Sequence, residues 1–511
     1  MKTYVKSLLN TLFTTMKKNN NNKQLIIVVL VVLVQLWACK SNKFNDFKLA
    51  AENGNAEAQY EIAKCYYEGN DITQNCNTAV EWCQKSAEQG YAEAQYYLGW
   101  MYTQGDCVPK TFDKAIPWLE KAANQNHMKA QFLLGCCYHD GLGVEQDLYQ
   151  SVIWMQKAGE QGNDVAQYLV GNCYESGVGV NKDYNQAVEW YQKAANQGNT
   201  DAQVNLGVCY ELGNGVMQDY KKAVEWYEKA ALNDDETAQF NLGHCYEEGL
   251  GITQNYYKAA EWYEKAALKG NAKAQYHLGY CYQEGKGLTQ DYYEAAKWYE
   301  KAANQEYTDA ERDLGIFYTV GYGVTKDYSK ALMLLQKAAK KGDAKAQRCL
   351  GICYSEGCGV NKDYKKAFEW FLKAANNEDA VAQYRCGFCY DEGQGIAKNK
   401  TKALEWYLKS ANQGYPLAQC VLGYFYEKGI LVKQNYYKAA EWYLKAAEQG
   451  DVNAQNNLGT LYEQGLGVRQ DLNEAEKWYQ KAADQDDFAA TINLERVQEA
   501  IIMEKIKAAI N

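Results

Sequence analysis

The sequence predicts an all-α fold, a solenoid of twelve 36-residue helix-loop-helix repeats. Three observations carry this. Ala-Gln recurs every 36 residues from Ala58-Gln59 to Ala454-Gln455, with Ala310-Glu311 the one variation. Only 3 of 511 residues are Pro, where about 5% is usual, so helix breakers are scarce. Each repeat also carries two short apolar stripes at helical spacing.

The elements follow in chain order. Residues Leu25–Ala38 form a 14-residue apolar run broken only by Gln35, after Lys17, Lys18 and Lys23. A membrane span needs about 20 such residues, whereas a signal-peptide core needs about 7–15. Residues 1–38 are therefore expected to be a signal peptide, with Met16 as the expected true start. Leu36-Trp37-Ala38-Cys39 resembles a bacterial lipobox, with Trp37 where a small residue is usual. That resemblance implies lipidation of Cys39; an uncleaved signal anchor is the alternative. Residues 39–52 read as a linker, 53–488 as the repeat array and 489–511 as a C-terminal capping helix.

Within the array several columns keep the period. Tyr fills all twelve places from Tyr66 to Tyr462, and Gly all twelve from Gly69 to Gly465. Trp fills eleven of twelve from Trp82 to Trp478, with Leu334 the exception. In one unit, Ala274, Leu278, Cys281 and Tyr282 share a face of a first helix. Ala295, Trp298, Tyr299 and Ala302 share a face of a second. Gly285 is placed to end the first helix and Asp291 to cap the second. Gly279, inside a helix, costs about 1 kcal/mol relative to Ala. A close helix approach explains it, with the Trp of the second helix expected in the space beside it. Beyond Ala490 the signals stop. Leu494, Val497, Ile501 and Ile506 then form one side of the capping helix, which closes the array.

The pattern A-x-x-x-L-G-x-x-Y-x-x-G-x-G-V-x-x-D-x-x-x-A-x-x-W-Y-x-K-A-A resembles the Sel-one-like repeat family, relatives of the tetratricopeptide repeat. Residues 171–200 carry it through Gly171, Tyr174, Gly177, Gly179, Val180, Asp183, Ala187, Trp190, Tyr191, Lys193, Ala194 and Ala195. The resemblance implies a right-handed α-α superhelix that serves as a non-catalytic scaffold or adaptor for protein complexes. It implies, for bacterial members, export and tasks in the envelope, signalling or host contact. The expectation for this chain is an exported monomer in the cell envelope, periplasmic or on the surface. It would touch the membrane only through its N-terminal anchor.

Composition excludes other classes. The net charge is −10, with no basic stripe, so nucleic acid is not an expected partner. Four His form no HExxH pair, and no metal or other cofactor is expected. The Gly-x-Gly turns follow helices rather than strands, so they are helix ends and not phosphate loops. Glu247 and Glu248, near a helix end, are expected to be solvated.

A binding surface should vary where the packing does not. The column of Lys64 does so, reading Lys64, Trp100, Cys136, Asn172, Val208, His244, Tyr280, Ile316, Ile352, Phe388, Tyr424 and Thr460. Related solenoids turn their first helices to the concave surface. Lys64, Trp100, Asn172, His244, Tyr280, Phe388 and Tyr424 are thus the candidate partner-binding residues, since aromatic anchors dominate interfaces. Partial burial between helices is the competing explanation. Eight of the 17 Cys share a column with Met, Phe and Leu, which marks a core position. The alternative function is a metal-binding, redox or hydrolytic one centred on Cys349–Cys389, where Cys386-Gly-Phe-Cys389 has C-x-x-C spacing. The eighth repeat departs from the rest, with Glu311-Arg312-Asp313 and with Leu334-Leu335 in place of Trp-Tyr. Its packing should loosen unless other groups refill the space.

Overall fold

The computed structural model describes residue 44, residues 47–69 and residues 72–510. The expected signal peptide, Met16 and Cys39 lie outside the described residues. Among the described residues there is no strand, and no helix is long and apolar enough to cross a membrane. The fold is an α solenoid of helix pairs. It divides into two compact units, one running to Ala238 with Leu250–Ile252, the other comprising Gln239–Gly249 and the chain from Thr253.

In the second unit, Ala272–Glu284 and Tyr292–Asn304 show how one repeat is made. Asn271 opens the first helix, its side chain accepting the Ala274 N–H at 2.9 Å. Gly285 closes it with φ 68°, a left-handed conformation that costs Gly little. The chain then turns back, and the Asp291 N–H donates to the Tyr282 carbonyl at 2.9 Å. The Asp291 carboxylate accepts the N–H groups of Tyr293 and Glu294. Capping chemistry thus sets both helix ends. Thr111 is an exception in the Asp/Asn column: its side chain makes no such bond.

The contact between the paired helices corrects the sequence reading. A Cβ on Gly279 would lie 2.8 Å from the Tyr299 ring and 3.2 Å from the Ala295 carbonyl. The residue beside the glycine is therefore the tyrosine, not the neighbouring Trp298. Trp298 is turned one position round the helix and lies under Lys301, whose Nζ is 3.5 Å from the ring centroid. The same i, i+3 lysine covers the tryptophan in all eleven repeats that have one. In the first repeat the size rule inverts. Ala63 replaces the glycine, and the opposite position is the small, buried Cys83.

Successive repeats are joined by a buried glutamine. Gln275 donates its Nε2 to the Ala267 carbonyl at 3.1 Å, at the end of the preceding second helix. Its Oε1 accepts from Gln305 Nε2 at 2.9 Å. Equivalent pairs recur in the first unit, as Gln95 with Ala87 and Gln125, and elsewhere in the second, as Gln455 with Ala447 and Gln485. In the eighth repeat both partners have become charged. Glu311 is fully buried, and Lys341 Nζ lies 3.0 Å from it while also donating to the Glu306 carbonyl. The same repeat refills the missing tryptophan and tyrosine with Leu334 and Leu335, both buried. Leu335 packs on Gly315.

Both ends of the array are covered. Residues 47–52, within the span read as a linker, are helical. Ala51 is buried there against Ala58 and Ile62, and its carbonyl accepts from Gln59. At the far end, Phe488–Ile510 packs Leu494, Val497 and Ile501 on Ala475 and Tyr479. Ile506, expected on that buried side, is exposed because the helix runs past the last repeat.

The sequence reading assigned no disulfide, yet Cys76 and Cys107 form one, with Cα atoms 4.9 Å apart. Cys107 occupies the second glycine position of its turn and has φ 63°. In later repeats that position packs on the first residue of the preceding second helix, as Gly143 does on Phe112. Cys76 is the equivalent of Phe112, so a recurring contact has become a covalent link.

Substitutions at two of these contacts test the packing. Gly279→Ala gains about 1 kcal/mol of helix propensity but meets the ring, and overpacking costs about 1–3 kcal/mol. Chemical denaturation should show net destabilisation. Lys341→Gln leaves a buried carboxylate unpaired and should cost about 3 kcal/mol or more, whereas Glu311→Gln/Lys341→Gln restores the amide pair and should lie within about 1 kcal/mol of the parent.

Candidate functional site

The variable column lies on the first helices, each 13 residues long and held at both ends by the caps described above. Its members are half-buried, apart from Tyr424, which is 45% exposed. In the first unit Lys64 pairs loosely with Glu61 at 3.9 Å. Trp100 stacks on Tyr97, with centroids 5.5 Å apart, and Tyr67 meets it edge-on. Asn172 is anchored: its Oδ1 accepts from the Tyr191 hydroxyl at 2.6 Å and from Asn205 Nδ2 at 3.1 Å.

In the second unit His244 is half-buried. Tyr280 has Lys286 Nζ 5.0 Å from its ring centroid. Phe388 is half-buried, and Tyr424 has Lys428 beside its ring. Each unit thus presents aromatic members of the column, Trp100 in the first and Tyr280, Phe388 and Tyr424 in the second. Asn172 is instead committed to internal bonds. Its neighbours can still use it only through its remaining amide hydrogens.

Beneath the stripe runs a polar layer the sequence reading missed. The buried tyrosine of the second helix reaches back to an acid on the first. Tyr191 donates to Glu175 at 2.5 Å, Tyr227 to Glu211 at 2.6 Å and Tyr443 to Glu427 at 2.8 Å. The signal was available: Tyr and Glu recur 16 residues apart in these repeats. Glu247 departs furthest from the expected solvation. It is 6% exposed, accepts from Tyr263 at 2.5 Å and lies 3.3 Å from His277 Nδ1. Glu248 is exposed as expected. Burial pushes the Glu247 carboxyl up, but hydrogen bonds from His277 and Tyr263 outweigh it and hold it below its ordinary range.

The eighth repeat holds a compact charged cluster. Arg312, 7% exposed, grips Asp313 with two nitrogens at 2.7 and 2.9 Å. It also bonds Asp309 at 2.5 Å and Asp343 at 3.0 Å, and Tyr276 donates to Asp313 at 2.9 Å. The arginine is shared among three carboxylates, which fits a structural clasp between adjacent repeats.

The cysteines around Cys349–Cys389 do not converge on one point. Cys353 packs in one core cluster, with Cys349 and Cys358 against it; Cys386 and Cys389 pack in another. Burial pushes the Cys353 thiol up to about 12 and Cys389 to about 11, the opposite of what a reactive thiolate needs. Among the described residues no group of three His, Cys, Asp or Glu is arranged to hold a metal ion.

Comparison with known proteins follows this geometry. The profile described as Sel1 repeat matches twelve successive stretches, from residues 56–91 and 92–127 to 416–451 and 452–487. The solved structure of c5321, a protective antigen present in uropathogenic Escherichia coli strains and displaying an SLR fold, is 36% identical. It covers 89% of this chain and 97% of its own, with a TM-score of 0.76. A Sel1 repeat protein from Oxalobacter formigenes is 33% identical, covering 60% of this chain and 89% of its own, with a TM-score of 0.48. Comparison with curated proteins gives no match.

The Glu247 cluster makes a pH prediction. A carboxyl held below its ordinary value of 4.5 adds stability that is present above that value and is lost as pH falls through the folded value. Thermal unfolding of the parent should therefore show acid destabilisation that Glu247→Gln reduces, with the difference between the two shrinking as pH drops.

Proposed function

The chain belongs to the Sel1 repeat family, and from that premise we propose that it is a non-catalytic scaffold holding other proteins against the variable stripe of its first helices. Sel1 repeat proteins generally bind other proteins. The observation that carries the reading is the contrast between columns. The Tyr66 and Gly69 columns hold one residue type in all twelve repeats, and the glutamine column departs once, at Glu311. The Lys64 column changes side chain from repeat to repeat while staying partly open. Trp100 in the first unit and Tyr280, Phe388 and Tyr424 in the second are the anchors on this reading.

The site of action is the cell envelope of a bacterium, with Cys39 lipidated after export. The lipobox-like residues 36–39 support this. So does the Cys76–Cys107 disulfide, since such bonds persist in oxidising compartments.

A cross-linking pull-down tests the reading. The parent is compared with a chain carrying Trp100→Glu, Tyr280→Glu, Phe388→Glu and Tyr424→Glu, after circular dichroism establishes equal helix content. Partners lost only from the variant are expected. The same partners on both chains would remove the stripe from the proposal.

A further inference from the structure

In the fourth repeat the Tyr191 ring lies on Gly171, and its hydroxyl bonds Asn172 and Glu175, with Asn205 closing the group through Asn172. One period earlier, the corresponding residues are Met155 for Tyr191, Cys136 for Asn172, His139 for Glu175 and Leu169 for Asn205. A flexible thioether replaces the phenol and Cys136 is smaller than the asparagine it replaces, while the larger Leu169 and His139 line the space without closing it. A cavity of about 310 Å³ opens there, lined by all four of these residues. It is walled mainly by apolar atoms and reaches solvent beside His139 and Asp140, both exposed. The first two repeats also lack the tyrosine, with Cys83 and Leu119 in its place, but there Tyr67, Tyr97 and Trp100 gather their own rings on the same face, and in the eighth the buried Leu335 stands in the tyrosine's place. The third repeat has neither device.

We propose that this cavity takes the aromatic side chain of a protein partner, a phenylalanine or tyrosine, in the place that the chain's own tyrosine fills elsewhere. The proposal rests on the scaffold reading and names the kind of anchor it would hold. Size permits it: an apolar cavity of about 150 Å³ already holds benzene. Chemistry favours it, because Met155, Cys136, Leu169 and Cys173 offer the soft, polarisable contacts that suit a ring. Position favours it too. Cys136 and Asn172 are neighbouring members of the variable column, so a segment lying along the stripe would pass over the mouth of the cavity. One buried aromatic anchor set among weaker contacts is the usual composition of a hot spot.

The experiment uses the full chain, with toluene and p-cresol as ring probes. Calorimetry or ligand-detected NMR should show both binding the parent in the millimolar range expected for so few atoms. Met155→Tyr supplies the missing ring from the second helix; tyrosine is already accepted at that position in other repeats. Cys136→Phe fills the space from the first helix, where aromatic residues also occur in the column. Each variant should fold with the parent's helix content and weaken probe binding by at least about tenfold. Met155→Tyr should also lose partners captured by the parent. No probe binding to the parent, or equal binding to parent and both variants, overturns the cavity as a ring site. Probe binding that behaves as expected, with every partner retained by Met155→Tyr, overturns the partner's use of it. In that outcome the stripe itself stands or falls by the four-glutamate chain alone.

Discussion

A buried amide sets the period of this molecule. The glutamine that follows the repeat alanine donates, in most repeats, to a carbonyl eight residues before it and accepts from a side chain 30 residues after it, as Gln275 does with Ala267 and Gln305. Neither bond can be replaced by water at a buried site, and an unsatisfied amide there would cost about 1–3 kcal/mol. An inserted residue on either side would pull one of the two partners out of reach. That accounts for twelve repeats without a single slip in the 36-residue spacing. The eighth repeat shows how the constraint can be met differently. There the donor and acceptor have both changed, to Lys341 and Glu311, so that the join survives as an ion pair.

Much of this fold was legible from the sequence because its signals are local. Caps, helix ends and apolar stripes are each written within a few residues, and Asn271, Gly285 and Asp291 act where their chemistry places them. What escaped was rotation about a helix axis. Trp298 and Tyr299 are adjacent and both apolar, and the stripe alone does not say which one meets Gly279. The structure gives that place to the tyrosine and lets the tryptophan carry a lysine on its outer side. The buried glutamates were hidden for a related reason. An acid near a helix end reads as solvated until the tyrosine 16 residues later is seen to reach it.

The candidate surface was legible only as a contrast between columns. The sequence offers the stripe as a candidate, and the structure separates its members. Asn172 is bound into the fold, whereas Tyr424 stands well exposed. The cavity at Met155 lay beyond sequence reasoning, since an apolar residue in an apolar column carries no sign of the volume it leaves empty. The cysteines taught the reverse lesson. C-x-x-C spacing on one helix is simply two core positions a turn apart. Among the described residues the pair that bonds, Cys76 with Cys107, stands 31 residues apart and sits in a contact the period itself supplies.

That pair bears on how such an array comes undone. In a linear stack each repeat touches only its neighbours, so opening costs least at the ends and spreads inward from them. The bond joins the first two repeats at the end nearest the proposed membrane anchor. A fraying first repeat would remain tethered beside its template and re-zip before the next could peel away. Proteases that wait on open ends would find one of the two closed, leaving the capping helix, with Ile502, Met503 and Ile506 exposed, as the place where the stack begins to unravel.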